Sequence, residues 1–172
     1  MRKVVILSLL ALELAVCGCG SNPTPTNVIS TTANGTWEAQ LTGGVGQASL
    51  MNFTTSFVVT DIGPIDPTGL SFLNQQTCFV TNNTETGTAS FTTSSSGQVT
   101  GTMQFIVTSG IPAGNVLTLK GNLTGTSNGT TSTTGTLTNG VVTGTWTLTG
   151  SSDCTGTGNF TMCQGKATCS AT

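Results

Sequence analysis

The side chains able to do chemistry are few and scattered. Six cysteines stand at Cys17, Cys19, Cys78, Cys154, Cys163 and Cys169, and the chain has no histidine and no tyrosine. Without histidine, neither a Ser-His-Asp nor a Cys-His relay can form within one chain. Beyond the first twenty residues the acids are Glu38, Asp61, Asp66, Glu85 and Asp153. Paired carboxylates can hydrolyse glycosides when held at a fixed separation. Glu38 and Asp61 are the candidates for that work, but no spacing puts two acids together on one element. Gly43-Gly44-Val45-Gly46 lacks the lysine of a phosphate loop and reads as a turn. Asp61 and Asp66 lack the alternating acids of a calcium loop. No catalytic residue, metal site or cofactor is therefore expected. Lys120 and Lys166 are the only cations beyond Lys3, which leaves no basic patch for nucleic acid.

The N-terminal segment sets Arg2 and Lys3 before an apolar run from Val4 to Val16, broken by Glu13. That is the layout of a secretory signal. The run is shorter than the ~20 residues a spanning helix needs. It ends Leu14-Ala15-Val16-Cys17-Gly18-Cys19. Val16-Cys17-Gly18-Cys19 resembles the lipobox of bacterial lipoproteins, in which an aliphatic residue and two small residues precede the cysteine that becomes the mature N-terminus. Cysteine in the second place departs from the pattern. Leu14-Ala15-Val16-Cys17 also fits, with the bulkier Val at the cut. The resemblance implies acylation of that cysteine by a diacylglycerol thioether and an amide-linked chain, and two signals anchor stably where one is marginal. Cutting before Cys19 leaves four further cysteines, and cutting before Cys17 leaves five. An oxidising compartment favours the even number, so Cys19 is preferred and Cys17 is the alternative.

The expected organisation is a signal peptide over 1–18, an acylated Cys19 with a proline-containing tether over 19–33, and one domain over 34–172. Its location would be the cell envelope, lipid-anchored outside the cytoplasm, on the outer membrane of a two-membrane cell.

The elements that must position any site read as strands. Val142, Gly144, Trp146 and Leu148 alternate with Thr143, Thr145, Thr147 and Thr149. Side chains alternate across a strand, so one face is apolar and the other a threonine ladder. Val99, Gly101, Met103, Phe105 and Val107 repeat the pattern, as do Leu117, Leu119, Gly121 and Leu123. One inward glycine per strand suits the tight bends of a small closed barrel. The pairs Gly87/Gly101, Gly121/Gly135 and Gly144/Gly158 are each fourteen residues apart, the rhythm of successive hairpins.

The sequence thus predicts an all-β antiparallel meander of eight or nine strands, a small closed barrel ahead of a β-sandwich. Strands are expected at 35–42, 50–60, 77–82, 86–93, 98–108, 115–127, 130–138, 141–150 and 154–163. Asn139-Gly140 is the dipeptide of a type I′ hairpin. Residues 61–76, with Pro64 and Pro67, read as a long loop with room for a helical turn.

Strand parity also addresses the cysteines. Cys154 has the parity of inward Phe160 and Met162, and Cys163 the opposite one, so those two cannot readily pair. Cys78–Cys154 and Cys163–Cys169 are expected, with zinc ligation the lesser alternative.

Trp37, Met103, Phe105, Leu123, Trp146 and Phe160 all fall inward. Gly35-Thr36-Trp37 resembles the Gly-x-Trp signature of lipocalin-like barrels, which implies a lumen for a small apolar ligand. The arginine that packs on that Trp in the family has no counterpart here. Two functions follow as expectations: a membrane-anchored lipoprotein with a non-catalytic binding or surface-structural β-domain, or a lipocalin-like carrier. Carbohydrate binding through an exposed Trp is disfavoured, because parity turns both tryptophans inward.

Overall fold

A computed structural model describes residues 29–43, 51–74, 77–79, 82–110, 114–165 and 169. The segment 1–18 expected to be a signal peptide, with Cys17, most of the expected tether over 19–33, with Cys19, and Lys166 lie outside these.

Eight strands follow in chain order: β1 (Thr31–Thr42), β2 (Phe53–Thr60), β3 (Ile62–Phe72), β4 (Thr84–Thr93), β5 (Gln98–Thr108), β6 (Val116–Ser127), β7 (Gly135–Thr149) and β8 (Gly156–Gln164). Each pairs antiparallel with the next, and β8 pairs with β1 to close a barrel. The architecture is the expected all-β closed meander. Alternation has the predicted physical cause: β5 buries Val99, Met103, Phe105 and Val107 and turns Thr100 and Thr102 outward.

Several expectations are corrected. The region 61–76 is largely strand β3 rather than loop. Proline cannot donate to a ladder and is tolerated where only one side of a strand is paired. β3 meets that condition by changing partner midway: Ile62–Ile65 pair with β4, and Asp66–Phe72 pair with β2. Pro64 therefore has β4 alone and Pro67 has β2 alone. Residues 77–79, expected in a strand, are a bend carrying Cys78.

The two strands expected at 130–138 and 141–150 are one strand, β7, and Asn139-Gly140 is not a hairpin. Asn139 takes φ 53°, the left-handed conformation a type I′ turn would also need. Here the two residues oppose Gly125 alone, between the pairs Thr124–Val141 and Thr126–Thr138. The dipeptide makes a β-bulge, which bends the strand. Gly140 has no space for a side chain, since a Cβ would lie 2.5 Å from Cη2 of Trp37.

The bulge lets β7 change partner too. Before it, Gly135 and Thr136 pair in parallel with Thr31 and Thr32; after it, β7 pairs with β8. The seam where β1, β7 and β8 meet is filled by one side chain. Gln164 Nε2 donates to the carbonyls of Asn34 and Leu137, each at 2.8 Å, and its Oε1 accepts from the Gly140 N–H at 3.2 Å. The amide thus takes the place of a missing piece of ladder. The barrel also begins earlier than residue 34: Ile29 is buried, and Thr31 enters a buried hydroxyl cluster with Thr93 and Ser127 at 2.8 Å.

Candidate functional site

The six residues read as lumen wall are brought together. Trp37, Met103, Phe105, Leu123, Trp146 and Phe160 are all 4% exposed or less and belong to one core cluster. An aromatic chain crosses the interior. Trp37 stacks on Phe57 at 4.9 Å, Phe57 and Phe53 both reach Phe105 at about 6 Å, and Phe53 meets Phe72, which stacks on Phe79. A hollow lumen would leave its wall open to a water-sized probe; these side chains fill the space instead. The Trp146 indole N–H donates to the Thr42 carbonyl at 3.2 Å, while Trp37 Nε1 is buried without a partner.

Both cysteine pairs are disulfides, Cys78–Cys154 and Cys163–Cys169. Zinc ligation falls with them, since all four sulfurs are bonded. The first ties the loop after β3 to the loop before β8. Asn115 extends the tie, donating to the Cys78 carbonyl at 2.7 Å and accepting from the Ser151 N–H at 3.1 Å.

The two acids weighed for hydrolysis have other partners. The Asp61 carboxylate accepts from the Ser30 hydroxyl at 2.8 Å and the Thr31 N–H at 2.9 Å, holding the one-residue turn from β2 to β3 at φ 48°. Glu38 accepts from the Gln40 amide at 3.1 Å.

The carboxylate with an unusual setting is Glu85, which sequence reading did not single out. It shares the inward parity of Ala89 and Phe91 and sits where β3 has left β4 for β2. There it accepts from the Thr55 hydroxyl at 2.5 Å and from the Leu70 N–H. Inward parity of an acid was the available signal; the partner change of β3 was not visible. Half-burial raises its pKa above the ordinary carboxylate value, against the lowering effect of those hydrogen bonds.

The folded chain then binds this proton more tightly than the unfolded chain. Stability contributed by Glu85 rises as pH falls through the raised pKa and levels off below the ordinary one. Glu85→Gln is accordingly expected to melt slightly higher than the parent at pH 7, by under about 1 kcal/mol because the group is half-exposed. The difference should vanish near about pH 4. Thermal melts across that range check this, and a variant less stable at pH 7 than at pH 4, relative to the parent, contradicts it.

A concavity lies on the outer face of the barrel. A groove of about 780 Å³ crosses β3 to β7 on the outer face. Its walls are two registered rows. One runs Ile62, Ser90, Thr102, Asn122, Thr143, and the other Pro64, Thr88, Gln104, Lys120, Thr145. The row between them is Gly63, Ala89, Met103, Gly121, Gly144. Five strands about 4.8 Å apart make the groove about 19 Å long, and rows two residues apart make it about 7 Å wide.

Two glycines of that row have no space for a side chain. A Cβ on Gly121 would strike the Thr143 carbonyl, and one on Gly144 the Lys120 carbonyl. Lacking both, β6 and β7 approach closely beneath the groove.

The chain matches no known family model, no curated protein and no solved structure.

Proposed function

We propose that this chain is an exported lipoprotein, cut before and acylated on Cys19, which holds a non-catalytic binding barrel on a short tether outside the cytoplasm. One observation carries the reading. Every cysteine beyond Cys19 is taken up in an intrachain disulfide. Disulfides persist in oxidising compartments, and a cut before Cys19 leaves no spare thiol. The signal-like N-terminus and the lipobox resemblance agree with that. The location is the cell envelope, on the outer membrane where the cell has two.

A lipocalin-like carrier is supported by the eight-stranded meander and by Gly35-Thr36-Trp37 on its first strand. The filled interior favours the other reading, in which ligands meet the outer face.

Expression in a bacterial host fed a radiolabelled fatty acid tests the anchor. Label should enter the parent and a Cys17→Ala variant, and should be absent from Cys19→Ala, which should also remain at precursor mass. Full labelling of Cys19→Ala would sink the assignment.

A further inference from the structure

The outer groove has a chemical character that sets it apart from the rest of the threonine-covered surface. A few outward hydroxyls elsewhere on that surface engage one another. Thr36 meets Ser56 at 3.2 Å, Thr126 meets Thr138 at 3.0 Å, and Thr130 meets Thr133 at 2.8 Å. In the groove they do not. Among the described residues, the side chains of Ser90, Thr102, Asn122 and Thr143 make no hydrogen bond within the chain. The same holds for Thr88, Gln104 and Thr145 in the other row.

Lys120 stands within this second row. It is the one cation among the described residues, it has no ion-pair partner there, and no carboxylate lines the groove. In a chain of net charge −2, this is a local positive site among uncommitted donors and acceptors. At one end, Ile62 is 73% exposed beside Pro64, which adds an apolar wall.

We propose that this groove binds a linear acidic oligosaccharide, with one carboxylate on Lys120 and sugar hydroxyls on the two polar rows. The shape selects a chain over a single ring, because the groove is nearly three times as long as it is wide. Hydroxyl and amide side chains in registered rows match a ligand that repeats hydroxyls along its length. A lone ammonium suits one carboxylate; a phosphate site would gather several cations or a nest of backbone N–H groups. Ile62 and Pro64 take the aliphatic face of a terminal ring, the part an exposed Trp would otherwise play. The volume falls within the ~300–1,000 Å³ of small-ligand sites.

The inference deepens the binding reading above and uses the exported location only to say where such a glycan is met. The groove itself does not depend on the anchor.

Calorimetry on the full chain, exported and purified in detergent, tests it, with trigalacturonic acid as the probe and neutral maltotriose as the comparison. The acidic trimer should bind saturably and at least tenfold more tightly than the neutral one. Lys120→Gln should lower affinity for the acidic trimer about tenfold, the loss of one charge-assisted contact. It should also abolish the weakening of that binding by added salt. Thr143→Val, which keeps the shape and removes a hydroxyl, should cost severalfold for both sugars.

Absence of saturable binding by the acidic trimer overturns the proposal, as does equal binding of the two sugars or unchanged affinity in Lys120→Gln. Fatty-acid labelling of the same preparation separates the two claims. Labelled protein that binds neither sugar removes the groove assignment and leaves the anchor; unlabelled protein that binds does the reverse.

Discussion

Gly144→Val is expected to cost the barrel about 3 kcal/mol, and so a large part of the 5–15 kcal/mol that holds a typical domain together. A Cβ at this position would lie under 3.0 Å from the carbonyl of Lys120 and from Cα of Gly121. Both obstacles are backbone, so no rotamer change relieves them. Gly121 is directly paired with Gly144 and has the same restriction. Inserting a branched side chain must therefore push β6 and β7 apart at the centre of their ladder. The control is one residue away: Thr145→Val adds no atom, points outward, and should change stability by no more than about 0.5 kcal/mol. Urea unfolding followed by tryptophan fluorescence distinguishes them, because Trp146 is buried in the core beside both sites. Equal midpoints for the two variants would mean that the glycine row does not govern the bend.

Much of this was legible in the chain, for reasons that can be traced. Alternation of apolar residues and threonine located β5 at 98–108, because both faces of that strand have neighbours of one kind throughout. The fourteen-residue glycine spacing pointed to bends on one face, and two of those glycines, Gly121 and Gly144, lie in the floor of the groove. Cysteine parity on β8 led to the correct pairings because Cys163 is on the strand itself.

The failures share a physical cause. Strand β3 and the bulge at Asn139-Gly140 both occur where a strand exchanges one partner for another, and no local pattern records which neighbour a strand will have. Proline in β3 and Asn-Gly in β7 each carry a local meaning that is obeyed, namely no donor on one side and a left-handed residue. The tertiary context then uses that meaning differently. The setting of Glu85 has the same origin, since its burial depends on where β3 departs. The groove needs the register of five strands at once, which the alternation of each strand taken separately leaves open.

Removing Cys78–Cys154 should destabilise the barrel about twice as much as removing Cys163–Cys169. The long bridge joins residues separated by 76 positions and the short one residues separated by 6. By loop-closure entropy in the unfolded chain, those spans correspond to about 4.5 and about 2 kcal/mol. For a domain of this size the long bridge then accounts for roughly 10 °C or more of melting temperature. Its loss should also be felt locally first. The Cys78 carbonyl accepts from Asn115, which in turn holds the Ser151 N–H, so three loops at one end of the barrel share that support. Paired serine substitutions, Cys78→Ser with Cys154→Ser against Cys163→Ser with Cys169→Ser, test the order by thermal melts. Amide exchange should show early opening around Asn115 in the first variant and not in the second. Equal melting temperatures would remove the entropic account. If the order holds, a chain kept reduced would lack about 4.5 kcal/mol of a typical domain's margin, so the stability of this fold would depend on oxidising conditions whether or not the proposed acyl anchor is attached.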